Sequence, residues 1–494
     1  MLTLKRSIAS FFFAATLVTL GTAQETPPAP GPARSGQIPA VRDSKLPNKL
    51  TVAVGERHAI PLVTIQLLVK SAASDETPDR AGLADLTASL LTKGTRTRNA
   101  TQVAEAIEAL GGNISSGAGW NTSTVSVTVT ADKVDQALAI LSDVVLNPSF
   151  KQEELDLLRS QYLDGLTYNL KQPGFLATYA ASRYAFGEHP AGGTPESLKA
   201  ITRADIVGFH SIHYRPDNSV LIFAGDITPA KANSAATKYF GKWKAAKVTV
   251  MHTLGDPGVA ANLEKETRSP RRILVIDLPN SGQAAVKYVR RLNVGRAKCT
   301  AAGCSTGDVF FPASVMNSVL GGGYSSRLNQ EIRIKRGLSY GAGSSFAWRP
   351  LDTNFATSTQ TKTESAAEVA ELVIKEVDRL ASQAITAAEL EPRKLVLTGG
   401  FGQELETTAG LASRIGDLYA FGLRPAELNS YNTSVRSVSD AQIRTFSNSL
   451  KGGDIIIAGD AKMFMDDLRK RFPNMMVDTV AAADLDLGKP SLRK

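Results

Sequence analysis

Cysteine and histidine, the residues that most often bind transition metals, are scarce in this sequence. Its 494 residues include two cysteines and five histidines. Cys299 and Cys304 lie in a stretch without a nearby histidine, which favours a short local disulfide over a metal site. His210 and His213 are one helical turn apart and could clamp a metal at two points, but packing at a helix end fits them better.

Aromatic side chains and excess charge are also limited. Aromatic residues make up 6% of the chain, and a formal net charge of +9 is spread along it. The basic clusters, such as that over residues 333–336, are small. Because nucleic-acid binding requires a basic face with interleaved aromatic side chains, no nucleic-acid partner is expected.

Long apolar runs are confined to the amino-terminal end. Two basic residues precede an apolar run over residues 8–20, and small residues follow it up to Ala23. This order is typical of a secretory signal peptide over residues 1–23, and no later run predicts a transmembrane segment. Residues 24–45 are rich in Pro, Gly, Ser and Ala, which indicates a flexible spacer. We therefore expect an exported protein, periplasmic or extracellular.

Two parts of the chain share the same order of patterns. Residues 219–226 form an apolar strand pattern that ends in Ala-Gly-Asp, and residues 454–460 repeat it. Residues 124–130 alternate threonine or serine with valine, which predicts a half-buried antiparallel strand. Helical patterns surround this strand, and similar ones recur in the second part. Helices on one face of an antiparallel sheet make an α+β architecture, so the sequence predicts two homologous α+β domains.

One helical segment carries the most informative pattern. Residues 82–95 read Gly-Leu-Ala-Asp-Leu-Thr-Ala-Ser-Leu-Leu-Thr-Lys-Gly-Thr. The leucines recur at helical spacing and predict a buried face, whereas Asp85, Ala88 and Ser89 share the opposite face. This frame resembles the zinc-binding helix of the pitrilysin/insulinase-type metallopeptidases, which reads Gly-Leu-Ala-His-x-x-Glu-His before Lys-Gly-Thr.

The resemblance implies a degenerate zinc site. Asp85, Ala88 and Ser89 stand where the family has its first histidine, its catalytic glutamate and its second histidine. The third-ligand pattern of the family, Glu-Arg-x-x-Val-x-x-Glu, aligned on Arg159, places Gly165 at the ligand glutamate. Zinc requires imidazole, thiolate or carboxylate ligands, and its bound water requires a base. The resemblance therefore implies no catalytic residue, no metal and no cofactor in this chain.

A second motif resembles the carboxy-terminal signature of the same family, Ser-Ser-Arg-Leu-x-x-x-Leu-Arg-x-x-x-Gly-Leu-x-Tyr. Residues 325–340 match it closely. In active relatives an arginine and a tyrosine with this spacing bind the substrate backbone and stabilise the tetrahedral intermediate. The resemblance thus implies substrate binding by Arg333 and Tyr340, the alternative being a surface ion pair for Arg333 and packing for Tyr340.

The glycines of 321–323 predict a turn, because no Lys-Ser pair follows them in P-loop spacing.

The resemblance covers residues 46–480 and implies the mitochondrial-processing-peptidase-like fold, with helices mainly on one face of each antiparallel sheet. A peptide chamber would lie between the halves or between subunits. A transporter-binding α+β fold is the alternative from the pattern alone. The expected ranges are a domain with the degenerate site over 46–235, a linker over 236–268, a domain with the Arg/Tyr motif over 269–480 and a tail over 481–494.

A chain without zinc ligands but with Arg333 and Tyr340 resembles one subunit of a divided peptidase. This implies a non-catalytic, substrate-binding subunit of an exported zinc metallopeptidase, which acts on peptides. Its heterodimeric partner would be a zinc-bearing chain of the same family. Two alternatives stay open: a metal-free homodimeric peptide-binding or scaffold protein of the cell envelope, and an independent hydrolase with unrecognised metal ligands.

Overall fold

The computed structural model describes residues 38–244, 271–300 and 303–494. We call residues 38–244 half one and the described residues from 271 onward half two. The expected signal peptide, most of the expected spacer and most of the expected linker lie outside the described residues. No helix among the described residues is long and apolar enough to cross a membrane.

The strands and helices of half one follow in chain order: β1 (Val41–Lys45), β2 (Thr51–Glu56), β3 (Leu62–Val69), α1 (Leu83–Leu90), α2 (Ala100–Glu108), β4 (Asn113–Ala118), β5 (Ser123–Thr130), α3 (Val134–Leu146), α4 (Gln152–Asn169), α5 (Pro173–Tyr184), α6 (Pro195–Ala200), α7 (Arg203–His213), β6 (Ser219–Gly225) and α8 (Pro229–Phe240).

Those of half two follow likewise: β7 (Arg272–Asp277), β8 (Gln283–Leu292), β9 (Ala297–Thr300), β10 (Gly303–Thr306), α9 (Phe310–Leu320), a π-helical turn (Asn329–Ile334), β11 (Ala342–Trp348), β12 (Thr353–Lys362), α10 (Ala366–Ser382), α11 (Ala387–Glu406), α12 (Thr408–Ala420), α13 (Glu427–Ser437), α14 (Asp440–Ser447), β13 (Asp454–Gly459), α15 (Met465–Arg471) and β14 (Met476–Ala481).

Each half contains a six-stranded sheet, and five strands of each sheet correspond in order and direction, whereas the outer strands differ: β1 is antiparallel to β2 and β14 is parallel to β7. The strand order is β1-β2-β6-β3-β5-β4 in half one and β14-β7-β13-β8-β12-β11 in half two. The predicted two-domain α+β fold is confirmed. The sheets are mixed, however, because β2 runs parallel to β6, and β7 runs parallel to β13 and β14. Strand β6 returns beside β2, and β13 returns beside β7, after helical connections, which permits parallel pairing.

Local sequence explains the strands that carry this topology. β6 is buried at every position, as its continuous apolar run requires. β5 alternates, with Val125, Val127 and Val129 buried against the helices of half one. On the opposite face, the Thr64 hydroxyl lies 2.8 Å from those of Thr128 and Thr408. The second of these bonds joins the two halves.

Each half contributes one helix that packs on the sheet of the other half. The apolar face of α5 in half one packs on β7, β8 and β13 of half two. The apolar face of α12 in half two packs on β2, β3 and β6 of half one. Each sheet is therefore covered by its own helices on one face and by a helix of the other half on the second face. Buried apolar surface of this kind is the dominant stabilising contribution in folding.

Three boundary segments take part in the described structure. β1, at the end of the expected spacer, pairs with β2. α8 ends at Phe240, inside the range expected for the linker. In the carboxy-terminal tail, Leu487 and Leu492 are buried in the same cluster as α5.

Candidate functional site

The start of helix α1 is held by a buried carboxylate. Glu76 accepts hydrogen bonds from the backbone N–H groups of Gly82 at 2.8 Å and Ala84 at 2.7 Å. Gly82 has a φ of 92°, which favours glycine and turns the chain into the helix. His189 Nε2 lies 3.1 Å from the same carboxylate. A negative charge at a helix amino terminus is favourable, so Glu76 fixes the position of the residues that follow.

The degenerate zinc positions on α1 are occupied by hydrogen-bonded groups. The hydroxyl of Ser89 lies 2.8 Å from the Tyr162 hydroxyl on α4. The Tyr162 phenol and the backbone of Ala118 also favour the charged form of the Asp85 carboxylate. Ala88 is buried, and its carbonyl accepts a hydrogen bond of 2.7 Å from Ser116. Helices α1 and α4 are thus linked here by hydroxyl groups, where the family has metal ligands.

Burial changes the acidity of these groups. It raises the pKa of Asp85 above its ordinary value, although hydrogen bonds from Tyr162 and Ala118 oppose the shift. Burial, together with the charge of Asp85, raises the pKa of Tyr162 to about 12. The phenol therefore keeps its proton at physiological pH.

The third expected ligand position offers no metal ligand. Gly165 is exposed on α4, and a Cβ atom there would meet open space. Arg159, the anchor of that alignment, donates to Asp156 and to the carbonyl of Ile201, each at 2.7 Å.

Zinc does not fit these residues, since Asp85 is the one carboxylate among the four family positions. Within residues 38–244, 271–300 and 303–494, no group of three His, Cys, Asp or Glu side chains could hold a metal ion.

The paired histidines of α7 make packing contacts. His210 donates through Nε2 to the Val145 carbonyl at 2.9 Å, and burial lowers its pKa to about 4. His213 lies 3.0 Å from the Ser71 hydroxyl and packs on the ring of Phe209. These contacts agree with the packing interpretation of the pair.

The Arg/Tyr motif lies on an exposed surface of half two. Arg333 belongs to the π-helical turn, and its guanidinium lies 4.8 Å from the centroid of the Tyr324 ring. Gly337, with a φ of 63°, then reverses the chain. Tyr340 is 92% exposed, so it does not pack on the sheet. Both side chains offer hydrogen-bond donors near solvent.

Three further features accompany the predicted positions. Arg327 anchors the motif through a bidentate pair with Glu389, at 2.7 and 2.8 Å. The predicted site did not include Tyr162, although it precedes Gly165 by three residues on α4 and so shares its helix face. Cys299 and Cys304 are joined by a disulfide that closes the β9–β10 hairpin.

Comparison with known families agrees with the geometry. A family described as Insulinase (Peptidase family M16) matches residues 51–172, and one described as Peptidase M16 inactive domain matches residues 200–397. The chain belongs to peptidase family M16. The resemblance deduced from the zinc-helix frame and the Arg/Tyr motif is therefore confirmed.

Similar proteins extend along most of the chain. An uncharacterised zinc protease of Rickettsia bellii is 26% identical over 418 residues, which are 82% of this chain and 95% of that protein. An uncharacterised zinc protease of Streptomyces coelicolor is 24% identical over 84% of this chain and 88% of its own length.

Solved structures show the same fold. A peptidase M16 inactive domain from Pseudomonas fluorescens superposes with a TM-score of 0.74 at 23% identity, covering 85% of this chain and 98% of its own. A protease from Helicobacter pylori superposes with a TM-score of 0.76 at 17% identity, covering 85% of this chain and 99% of its own. The M16 arrangement of two related halves thus applies to this chain.

Proposed function

We propose that this chain is the non-catalytic, substrate-binding subunit of an exported M16 zinc metallopeptidase. One observation carries the proposal. The zinc positions on α1 and α4 hold Asp85, Ala88, Ser89 and Gly165, whereas Tyr340 of the substrate-binding motif stays 92% exposed. A chain with these two donors and, over its described residues, no group that could hold a metal contributes chemistry only beside another chain that holds the metal.

The chemistry of the donor pair supports this role. A phenol and a guanidinium donate hydrogen bonds to the oxyanion that develops when water attacks a peptide carbonyl. Arg333 and Tyr340 would also bind the peptide backbone before reaction. The reciprocal packing of α5 and α12 joins the halves through apolar cores, which supports a peptide chamber formed against a partner chain.

The first test compares the chain alone with a mixture. The mature chain, residues 24–494, is purified alone and together with a zinc-bearing M16 protein encoded beside it. Zinc content and cleavage of a fluorogenic peptide are then measured. The proposal predicts that the lone chain is inert and free of zinc, and that the mixture cleaves faster than the partner alone. Absence of association and of any rate change would overturn it.

A second test addresses Tyr340 within the complex. Loss of one oxyanion donor costs about 10²–10³ in kcat. Tyr340→Phe is therefore expected to lower kcat by about that factor while the zinc content of the complex stays the same. Tyr239→Phe removes a hydroxyl that contacts Asp135 in half one and serves as the matched control. An unchanged kcat in Tyr340→Phe would remove this residue from the mechanism.

The same experiments separate the alternatives. A stable homodimer with no affinity for a zinc-bearing relative would favour a metal-free scaffold protein of the envelope. Stoichiometric zinc and chelator-sensitive cleavage by the lone chain would favour an independent hydrolase. Export is tested by fractionation of the producing cell, where the mature chain is expected outside the cytoplasm.

A further inference from the structure

Half two contains a cavity with an unusual concentration of aromatic side chains. The chain has 18 Phe, 11 Tyr and 3 Trp in 494 residues. Seven of these line one cavity of about 500 Å³, which is within the size range of small-ligand sites. We call it the aromatic cavity, and its rings are those of Phe310, Phe311, Phe346, Trp348, Phe401, Phe421 and Tyr431.

Six of these rings form a continuous belt. In order along the wall, the centroid distances are 5.5 Å for Phe346–Trp348, 5.1 Å for Trp348–Phe310, 5.1 Å for Phe310–Phe311, 5.7 Å for Phe311–Tyr431 and 4.2 Å for Tyr431–Phe401. Phe401 is buried, whereas the other five are only partly buried. Partly exposed rings at stacking distance provide apolar faces and edges for another ring.

The cavity occupies the place in half two that the degenerate zinc site occupies in half one. It is lined by Ser314 and Asn317 of α9, by Ser345 of β11 and by Leu397 of α11. The five strands that the two sheets share in order and direction make these elements the counterparts of α1, β4 and α4. Those counterparts carry Asp85, Ser89, Ser116 and Tyr162 in half one.

One wall of the cavity comes from the disulfide-closed hairpin. Arg296 and Thr306 stand at its base, and the guanidinium of Arg296 lies 3.3 Å from the centroid of Phe310. Thr306 donates to Glu427 at 2.9 Å. Residues 70–82, which connect β3 to α1 in half one, form no such hairpin.

The charges around the cavity balance one another. Arg296 and Arg414 line it together with Asp417 and Glu427. Arg414 also pairs with Glu404. Burial lowers the pKa of Arg296 to about 10, which leaves it charged at neutral pH. A wall with two cations and two carboxylates favours a neutral ligand over an ionic one.

We propose that the aromatic cavity binds a neutral aromatic side chain of a peptide, at a position in half two that corresponds to the degenerate zinc site of half one. The inference rests on the proposed function in taking a peptide as the ligand. It adds the substrate class, since peptides with phenylalanine, tyrosine or tryptophan are selected over those without an aromatic residue.

The test uses the mature chain without a partner. The probe is a short Gly/Ser peptide, acetylated and amidated at its ends, with one central phenylalanine, and binding is measured by calorimetry. The phenylalanine peptide is expected to bind at least about tenfold more tightly than the same peptide with alanine. Equal affinity for the two peptides in the folded wild-type chain would overturn the proposal.

Variants locate the binding. Trp348→Ala is expected to lower the affinity for the phenylalanine peptide about tenfold and to leave the affinity for the alanine peptide unchanged. Trp348→Phe keeps a ring and is expected to retain most of the affinity, which separates ring loss from misfolding. Tyr168→Ala removes a ring that is 66% exposed in half one and is the matched control. Equal losses in Trp348→Ala and Tyr168→Ala would place the binding elsewhere.

Different results would overturn the binding proposal and the proposed function. Loss of aromatic selectivity with intact stimulation of a zinc-bearing partner removes the cavity from substrate binding and leaves the subunit role. Selective binding without any partner stimulation supports the cavity and overturns the subunit role.

Discussion

Glu188 of half one accepts a hydrogen bond from Arg349 of half two, with 2.5 Å between Oε2 and Nη2. Asn354 donates to the other oxygen of the same carboxylate at 2.9 Å. The guanidinium of Arg349 also lies 4.1 Å from the centroid of the Trp120 ring. Trp120 stands in the β4–β5 turn and Arg349 in the β11–β12 turn. Corresponding turns of the two halves therefore meet where Arg349 contacts Trp120.

Removal of Glu188 should destabilise the chain strongly. Both partners are 9% exposed, and breaking a buried pair from one side costs about 3–5 kcal/mol. We expect Glu188→Ala to lower the free energy of unfolding by that amount in urea titrations. Glu105→Ala, at an exposed position of α2, is the control and should change it by less than about 0.5 kcal/mol. Similar values for the two variants would show that the pair contributes little.

Ser89→Ala tests the hydroxyl contact that links α1 to α4. A typical hydrogen bond contributes about 1 kcal/mol, and Tyr162 would lose its partner at 2.8 Å. We expect the free energy of unfolding to fall by about 1 kcal/mol. Ser160→Ala, at an exposed position of α4, should raise it slightly through helix propensity. A Ser89→Ala chain as stable as the wild type would contradict the structural role of this contact.

The buried carboxylate of Asp85 predicts a pH dependence of stability. Its pKa is raised by burial in the folded state, so the folded chain binds this proton more tightly than the unfolded chain. The contribution is fully present below the ordinary value of 3.8 and is lost as pH rises through the folded pKa. Relative to Asp85→Asn, the wild type should therefore lose stability as pH rises from about 4.

Thermal midpoints of both proteins, measured from about pH 4 to pH 8, check this dependence. Asp164→Asn, at an exposed position of α4, controls for the loss of one negative charge. A difference between wild type and Asp85→Asn that stays constant over the series would contradict the expectation.

Two glycines at corresponding strand ends should respond differently to alanine. At Gly225, φ is 129°, and an added Cβ would lie 2.1 Å from the Leu62 carbonyl oxygen. At Gly459 the nearest atom, 2.7 Å away, is the Ala284 Cβ. Both variants should be less stable than the wild type. Gly225→Ala should be the less stable of the two, with a free energy of unfolding lower than that of the wild type by more than about 3 kcal/mol. Urea titrations of the two variants provide the comparison, and equal losses would contradict it.

Local sequence alone determined several of the elements, although not β1, which lies at the end of the expected spacer. The Thr/Val alternation predicted β5, and the apolar run before Ala-Gly-Asp predicted β6 and its counterpart β13. The third-ligand pattern that was aligned on Arg159 lies within one helix, α4 (Gln152–Asn169). The replaced zinc positions were also readable, because a family motif identifies residues by spacing along one helix. These features depend on neighbours a few residues apart.

Tertiary structure decided which surfaces meet. The spacing of Leu176, Ala177 and Ala180 is that of a helix with an apolar face, but no local pattern shows that this face covers the sheet of half two. Tyr162 joined the degenerate site through the approach of α4 to α1, and the rings of the aromatic cavity come from residues 310 to 431. Periodicity encodes which side of an element is apolar. The partner of that side is set by long-range packing, which only the folded chain reveals.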